Sequence, residues 1–158
     1  MSSDVVTVER VIPATPEAIF ALISDPHRHR EFDGSGTVRT AHNVPDKLTL
    51  GATFGMSMVL GLPYAMRSTV VEYDENTLLA WQTRAPVRLV DPFAGGRIWR
   101  YELSPVKGGT LVKESWDIRQ ESVFTKRVVR RAAEQTRQNM ERTLERIEAV
   151  LTNPTPTA

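Results

Sequence analysis

Val129, Ala133, Thr136, Met140, Leu144, Ile147 and Leu151 follow one another at steps of four, three, four, four, three and four. That spacing keeps all seven on one face of a helix with about 3.6 residues per turn. It predicts one long amphipathic helix over roughly Glu121 to Leu151, with a single apolar stripe that must be laid against something. Upstream, apolar residues alternate with period two through many short segments, so the surface it covers is expected to be a curved antiparallel sheet. A sheet wrapped on one helix can enclose a cavity.

The first strand is expected at Val5 to Ile12, a β-branched run that stops at Pro13. Helix signals follow at once. Thr15 can cap, Pro16 suits the first helical position because its missing N–H would have no partner there, and Glu17 meets the positive end of the dipole. Asp25-Pro26 repeats the cap-and-proline signal and predicts a second, shorter helix through His27 to Phe32. Strands are then expected near residues 37–44, 53–61, 65–73, 77–84, 97–104 and 110–118. Gly61-Leu62-Pro63, Asp74-Glu75-Asn76 and Lys107-Gly108-Gly109 read as hairpin connections, which implies a meander. The longer connection from Ala85 to Gly96 carries two prolines and a glycine pair and is expected to act as a lid or rim. Residues 1–151 are read as one domain, and 152–158, proline-rich and polar, as a disordered tail.

Composition narrows the function. Twenty basic against nineteen acidic residues leave a net charge of +1, which is no footprint for a nucleic-acid binder. The chain has no cysteine, so disulfides, thiol catalysis and cysteine zinc sites are excluded. No segment approaches the 18 or so consecutive apolar residues of a membrane span, and the first residues lack the basic and apolar regions of a secretory signal. The expectation is a cytoplasmic protein without stable membrane insertion.

Candidate site residues come from the strand faces. Phe54, Met56, Met58 and Leu60 share one face, as do Trp99, Tyr101 and Leu103, and Val112 and Trp116. Alternation alone gives ordinary core packing. On a concave sheet, however, these aromatic and methionine side chains are the adaptable residues that line pockets for apolar ligands. Glu114 lies between Val112 and Trp116 by alternation, so an inward face places a carboxylate inside an apolar lining, where burial raises its pKa. The alternatives are that Leu111, Lys113 and Ser115 face inward instead, or that Glu114 pairs with Arg67 or Arg100.

Other clusters carry less. His27, His29 and His42, with Asp25, Glu31 and Asp33 nearby, have no metal-ligand spacing and read as a solvated turn. Asp33-Gly34-Ser35-Gly36 follows a helix and precedes a strand, the reverse of the context a phosphate-cradling loop needs. No nucleophile elbow is present. Lys126, Arg127, Arg130 and Arg131 open the C-terminal helix, either as a solvated face or as a docking patch for an anionic head group or membrane surface. Arg130 with Glu134 and Arg137 with Glu141 are expected as four-apart pairs.

Strand, two short helices, six strands and one long helix, in that order, form an α+β pattern. With the stretches Ala14-Thr-Pro-Glu-Ala-Ile-Phe-Ala-Leu-Ile, Asp25-Pro-His-Arg-His-Arg-Glu-Phe-Asp-Gly-Ser-Gly, Trp99-Arg-Tyr-Glu-Leu-Ser-Pro and Gly109-Thr-Leu-Val, it resembles the helix-grip fold of the START-like or SRPBCC superfamily. That superfamily includes the polyketide cyclase/dehydrase and lipid-transport family, and the middle of the chain resembles its actinobacterial members. The resemblance implies about seven curved antiparallel strands around the C-terminal helix, with a deep apolar cavity between them. Its lining would come from Phe54, Met56, Met58, Trp81, Trp99, Tyr101, Trp116 and Met140, with Phe32 near the entrance and Glu114 as the internal polar group. No cofactor and no metal are expected. The superfamily's members include carriers and enzymes, and fold does not decide between them. The leading expectation is binding or carriage of a hydrophobic small molecule such as a lipid, isoprenoid or polyketide-like compound, with transient membrane contact. The alternatives are an aromatic polyketide cyclase or dehydratase, for which Glu114, Tyr101, Arg67 and Tyr64 are the candidate acid/base residues, and a protein-interaction module with a vestigial cavity.

Overall fold

The computed structural model describes residues 3–85 and 93–153, with the side chains of His42 and Leu60 excepted. The expected rim loop, for residues 86–92, and the expected tail beyond 153 lie outside the described residues. Strands β1 (Val5–Ile12), β2 (Val38–His42), β3 (Thr53–Leu60), β4 (Leu62–Asp74), β5 (Leu78–Arg84), β6 (Gly95–Val106) and β7 (Gly109–Asp117) form one seven-stranded sheet in the order β1-β7-β6-β5-β4-β3-β2. All neighbours are antiparallel. From β2 to β7 the sheet is the meander that the short turns predict, and β1 returns to pair with β7. The turn between β3 and β4 is tighter than expected. Gly61, at φ 72°, alone links Leu60 to Leu62, which are themselves cross-strand partners, and only glycine takes that left-handed conformation without strain.

The short helices form as their caps dictate. Helix α1 (Pro16–Ile23) begins with the Thr15 hydroxyl accepting from the Ala18 N–H, and it buries Ile19, Phe20, Leu22 and Ile23. Asp25 accepts from the His27 N–H and opens a 3-10 turn over Pro26–Arg28, which runs into α2 (His29–Phe32). The C-terminal segment differs from the single helix its stripe predicts. It is divided into α3 (Val123–Arg131) and α4 (Ala133–Thr152) at Ala132, whose N–H turns back to Val129 O. No proline or glycine marks the bend. The two halves cover different things: α4 buries Met140, Thr143, Leu144 and Ile147, whereas α3 buries none of its residues. Arg137 does reach Glu141, but Arg130 pairs with Asp4 in the N-terminal segment instead of Glu134. Thr152, expected in the tail, ends α4 with its hydroxyl donating to Glu148 O.

Helix α4 lies across the concave side of the sheet and against α2. Its backbone comes close to the loop after α2, where a Cβ on Gly34 would stand 2.1 Å from Asn139 O and 2.5 Å from Thr143 N. The Gly34 N–H donates to the Thr143 hydroxyl, and Arg142 donates to Gly34 O. Gly34 therefore serves helix packing, whereas Gly36 has open space around it and takes a left-handed φ of 70°.

Candidate functional site

Cross-strand register fixes which residues look into the space between sheet and α4. Trp116, Glu114 and Val112 on β7 stand opposite Trp99, Tyr101 and Leu103 on β6. Trp99 and Tyr101 in turn face Trp81 and Leu79 on β5. Phe54, Met56 and Met58 on β3 oppose Ser68, Met66 and Tyr64 on β4. Phe32 and Met140 close the space from α2 and α4, and both are buried. Trp99 and Met58 are half-buried and pack against the same core. All three tryptophans of the chain thus belong to one face.

The rings here pack on one another. Trp81 stacks on His29 at 5.1 Å between centroids, meets Phe54 edge-on at 5.9 Å, and lies 5.6 Å from Tyr101. His29 was expected in a solvated turn with His27 and is instead buried, with Nε2 2.9 Å from Ile23 O. Burial disfavours its cation and takes its pKa down to about 4, although the Ile23 carbonyl, Asp25 and Asp33 oppose that shift. A signal for this placement exists. Pro26, His29 and Phe32 recur at steps of three, and all three are buried. Among the described residues no group of three His, Asp or Glu is arranged to hold a metal ion.

Glu114 is 2% exposed. Its Oε1 accepts from the Tyr101 hydroxyl at 2.9 Å, while Oε2 is buried without a hydrogen-bond partner. Burial drives its pKa up from 4.5 to about 8; the Tyr101 hydrogen bond opposes the rise and the charge on Asp33 adds to it. Burial, reinforced by Glu114, also holds the Tyr101 phenol well above its ordinary range. The alternative pairing with Arg100 is removed by geometry, because Arg100 lies on the convex face and bonds Glu72 at 2.6 Å. Arg67 pairs in register with Gly55, between Phe54 and Met56, so its side chain also leaves the sheet on the convex side. Tyr64 is on the concave side at the rim and 40% exposed. Of the four candidate acid/base residues, the structure brings only Glu114 and Tyr101 together.

A second buried carboxylate was not anticipated. Glu121, in the turn before α3, accepts from Arg97 Nη2 at 3.0 Å and Nε at 3.2 Å, and from the Thr125 hydroxyl at 2.7 Å. It sits where β6 begins, so close that a Cβ on Gly96 would be 2.1 Å from Gln120 O. The Ser122 N–H donates to Gly95 O beside it.

A seven-stranded antiparallel sheet curled over a C-terminal helix, with paired short helices after the first strand, defines a helix-grip protein of the START-like (SRPBCC) superfamily. Within it the chain belongs to the polyketide cyclase/dehydrase and lipid transport family, whose pattern it matches over residues 3–152. An uncharacterised protein of Mycobacterium tuberculosis, Rv0088, is 42% identical over 115 residues, which are 70% of this chain and 45% of the relative. The chain thus spans less than half the length of that curated relative. Among solved structures, CV1439 of Chromobacterium violaceum superposes with a TM-score of 0.72 at 15% identity, over 96% of this chain and 99% of the other. The AHSA1-like protein of Aeromonas hydrophila does so with a TM-score of 0.64 at 18% identity, over 98% and 99%. At these identities the likeness concerns the fold. No helix among the described residues is long and apolar enough to cross a membrane.

Proposed function

We propose that this protein binds or carries a hydrophobic small molecule, lipid, isoprenoid or polyketide-like, between the sheet and α4, as one ligand-binding domain. The observation that carries the reading is the orphaned Oε2 of Glu114, inside a wall of aromatic and methionine side chains. A buried polar atom without a partner costs about 1–3 kcal/mol, and an apolar residue there would avoid that penalty. A ligand atom that meets it would remove the penalty. At neutral pH the carboxyl is protonated, and Oε1 already accepts from Tyr101, so the proton resides on Oε2 and is offered as a donor. The preferred ligand is therefore apolar with one acceptor oxygen, such as a carbonyl. Because Trp81 packs on His29, Phe54 and Tyr101, a ligand that enters among these rings shifts them, and that ties ligand uptake to tryptophan fluorescence.

The test uses those tryptophans. Titration with a fatty acid, an isoprenoid ketone and an aromatic polyketone is expected to change the fluorescence saturably for at least one probe. Glu114→Gln is expected to weaken the carbonyl-bearing probes most. No saturable change with any of the three, together with identical native and denatured masses for protein purified from its own host, removes the reading.

One observation favours a second reading, a cyclase or dehydratase. A carboxyl with a pKa of about 8 can give and recover a proton near neutrality, and Tyr101 holds its other oxygen. If so, Glu114→Gln abolishes turnover of a poly-β-ketone while leaving its binding within a few fold. Unchanged turnover removes this mechanism.

A further inference from the structure

The outward face of α3 has no role in the interior. Val123, Phe124 and Val128 are 81%, 68% and 68% exposed, unusual values for three large apolar residues in one two-turn helix. At about 100° per residue, Val123, Arg127, Arg131, Phe124 and Val128 fall within roughly 140° of arc. The cations of this segment divide by partner. Lys126 and Arg130 share Asp4, at 3.1 Å and 2.6 Å. Arg127 and Arg131 share the arc of the apolar residues, and neither makes an ion pair among the described residues. Residues 123–131 contain no acidic residue. Phe93, itself 52% exposed, extends the apolar surface by placing its ring 5.4 Å from Phe124. Where α3 bends into α4, Arg127, Arg130, Arg131, Ala133 and Glu134 line a cleft of about 410 Å³.

Apolar side chains flanked by arginines that have no ion pair among the described residues match one kind of surface: acyl chains beneath anionic head groups. A soluble acidic partner would account for the arginines but leave Val123, Phe124 and Val128 without an apolar counterpart. We infer that α3 and Phe93 dock this protein on an anionic lipid bilayer, with the phenylalanines and valines inserted at the head-group boundary and the arginine cleft around a lipid phosphate. The Ser122–Gly95 contact fixes the start of α3 to the sheet end that carries the Gly61 hairpin and the Arg97–Glu121 pair. Docking there turns the rim toward the bilayer.

The experiment is co-sedimentation with vesicles of phosphatidylcholine alone and of phosphatidylcholine with phosphatidylglycerol, each in low and physiological salt. Wild type is expected to sediment with the anionic vesicles, more weakly as salt rises, and to stay in solution with the neutral ones. Arg127→Gln/Arg131→Gln should weaken binding roughly 25-fold, about fivefold for each charge. Phe124→Ser should weaken it roughly tenfold. Lys107→Gln/Lys113→Gln removes the same charge from exposed positions elsewhere and should bind as wild type. Equal binding to both vesicle types, binding to neither, or equal loss in the two double variants overturns the proposal. So does a dimer in sedimentation velocity that Phe124→Ser dissociates, because the apolar face then covers a second copy.

Discussion

Glu114 and Glu121 are 2% and 4% exposed, yet the chain treats them in opposite ways. Glu121 receives two guanidinium N–H groups and a hydroxyl, so both of its oxygens have partners. Glu114 receives one phenol and leaves an oxygen bare, and burial raises its pKa to about 8. The contrast separates a carboxylate that fastens two segments together from one that stability alone does not explain. It also tells which glutamate to mutate for folding and which for function.

The largest effect should come from the satisfied member. Glu121→Ala strands a guanidinium that is only 26% exposed and loosens the turn that starts α3, a loss of about 3 kcal/mol. A lowered urea midpoint at unchanged slope checks it. Thr125→Ala, which removes a single donor, should lose about 1 kcal/mol. If Glu121→Ala and Glu114→Gln destabilise equally, the distinction between the two carboxylates fails.

The second effect is in pH. Glu114 has its pKa raised from 4.5 to about 8 in the fold, so the folded state holds a proton the unfolded chain has lost, and stability falls as pH rises through that window. His29 is the reverse. Its pKa is lowered from 6.5 to about 4, so stability falls as pH drops through that window. Between about 4.5 and 6.5 the two slopes oppose each other. From 6.5 to 8 only Glu114 acts, and at about 1.4 kcal/mol per pH unit it removes about 2 kcal/mol. Urea melts of wild type should therefore be level to pH 6.5 and decline above it. Glu114→Gln should rise to pH 6.5 and stay level. A wild-type curve flat from 6.5 to 8 would mean that Glu114 is already ionised in the fold.

Only the Glu114 half of this contrast can be read from the chain, from the strands of the β6–β7 hairpin. Alternation puts Glu114 on the face of Val112 and Trp116 and leaves open whether that face is the inner one. The register, with Tyr101 opposite Glu114 and Trp99 opposite Trp116, decides it. The side taken by Arg67 was not legible, because the stretch from Met66 to Tyr73 is apolar on both faces. His29 was hidden by its polar neighbours His27, Arg28 and Arg30, although its three-residue spacing to Pro26 and Phe32 marks the buried side of that turn. The bend at Ala132 leaves no trace at all. The apolar period continues through it, and the helix parts where its tertiary partner changes from Asp4 to the sheet.

The smallest effect is the most discriminating. Tyr101→Phe and Glu114→Met each leave a buried polar group alone, and each should destabilise by about 1–3 kcal/mol. The double variant leaves none. Replacing both partners by apolar groups of similar shape is close to neutral, so Tyr101→Phe/Glu114→Met should be as stable as wild type or better by up to about 1 kcal/mol. The same protein should lose the fluorescence response to a carbonyl-bearing ligand. Stability retained while binding disappears assigns the pair to ligand recognition. A double variant weaker than wild type by more than about 2 kcal/mol places Glu114 beside Glu121 as a structural group, and the orphaned oxygen would then need another explanation.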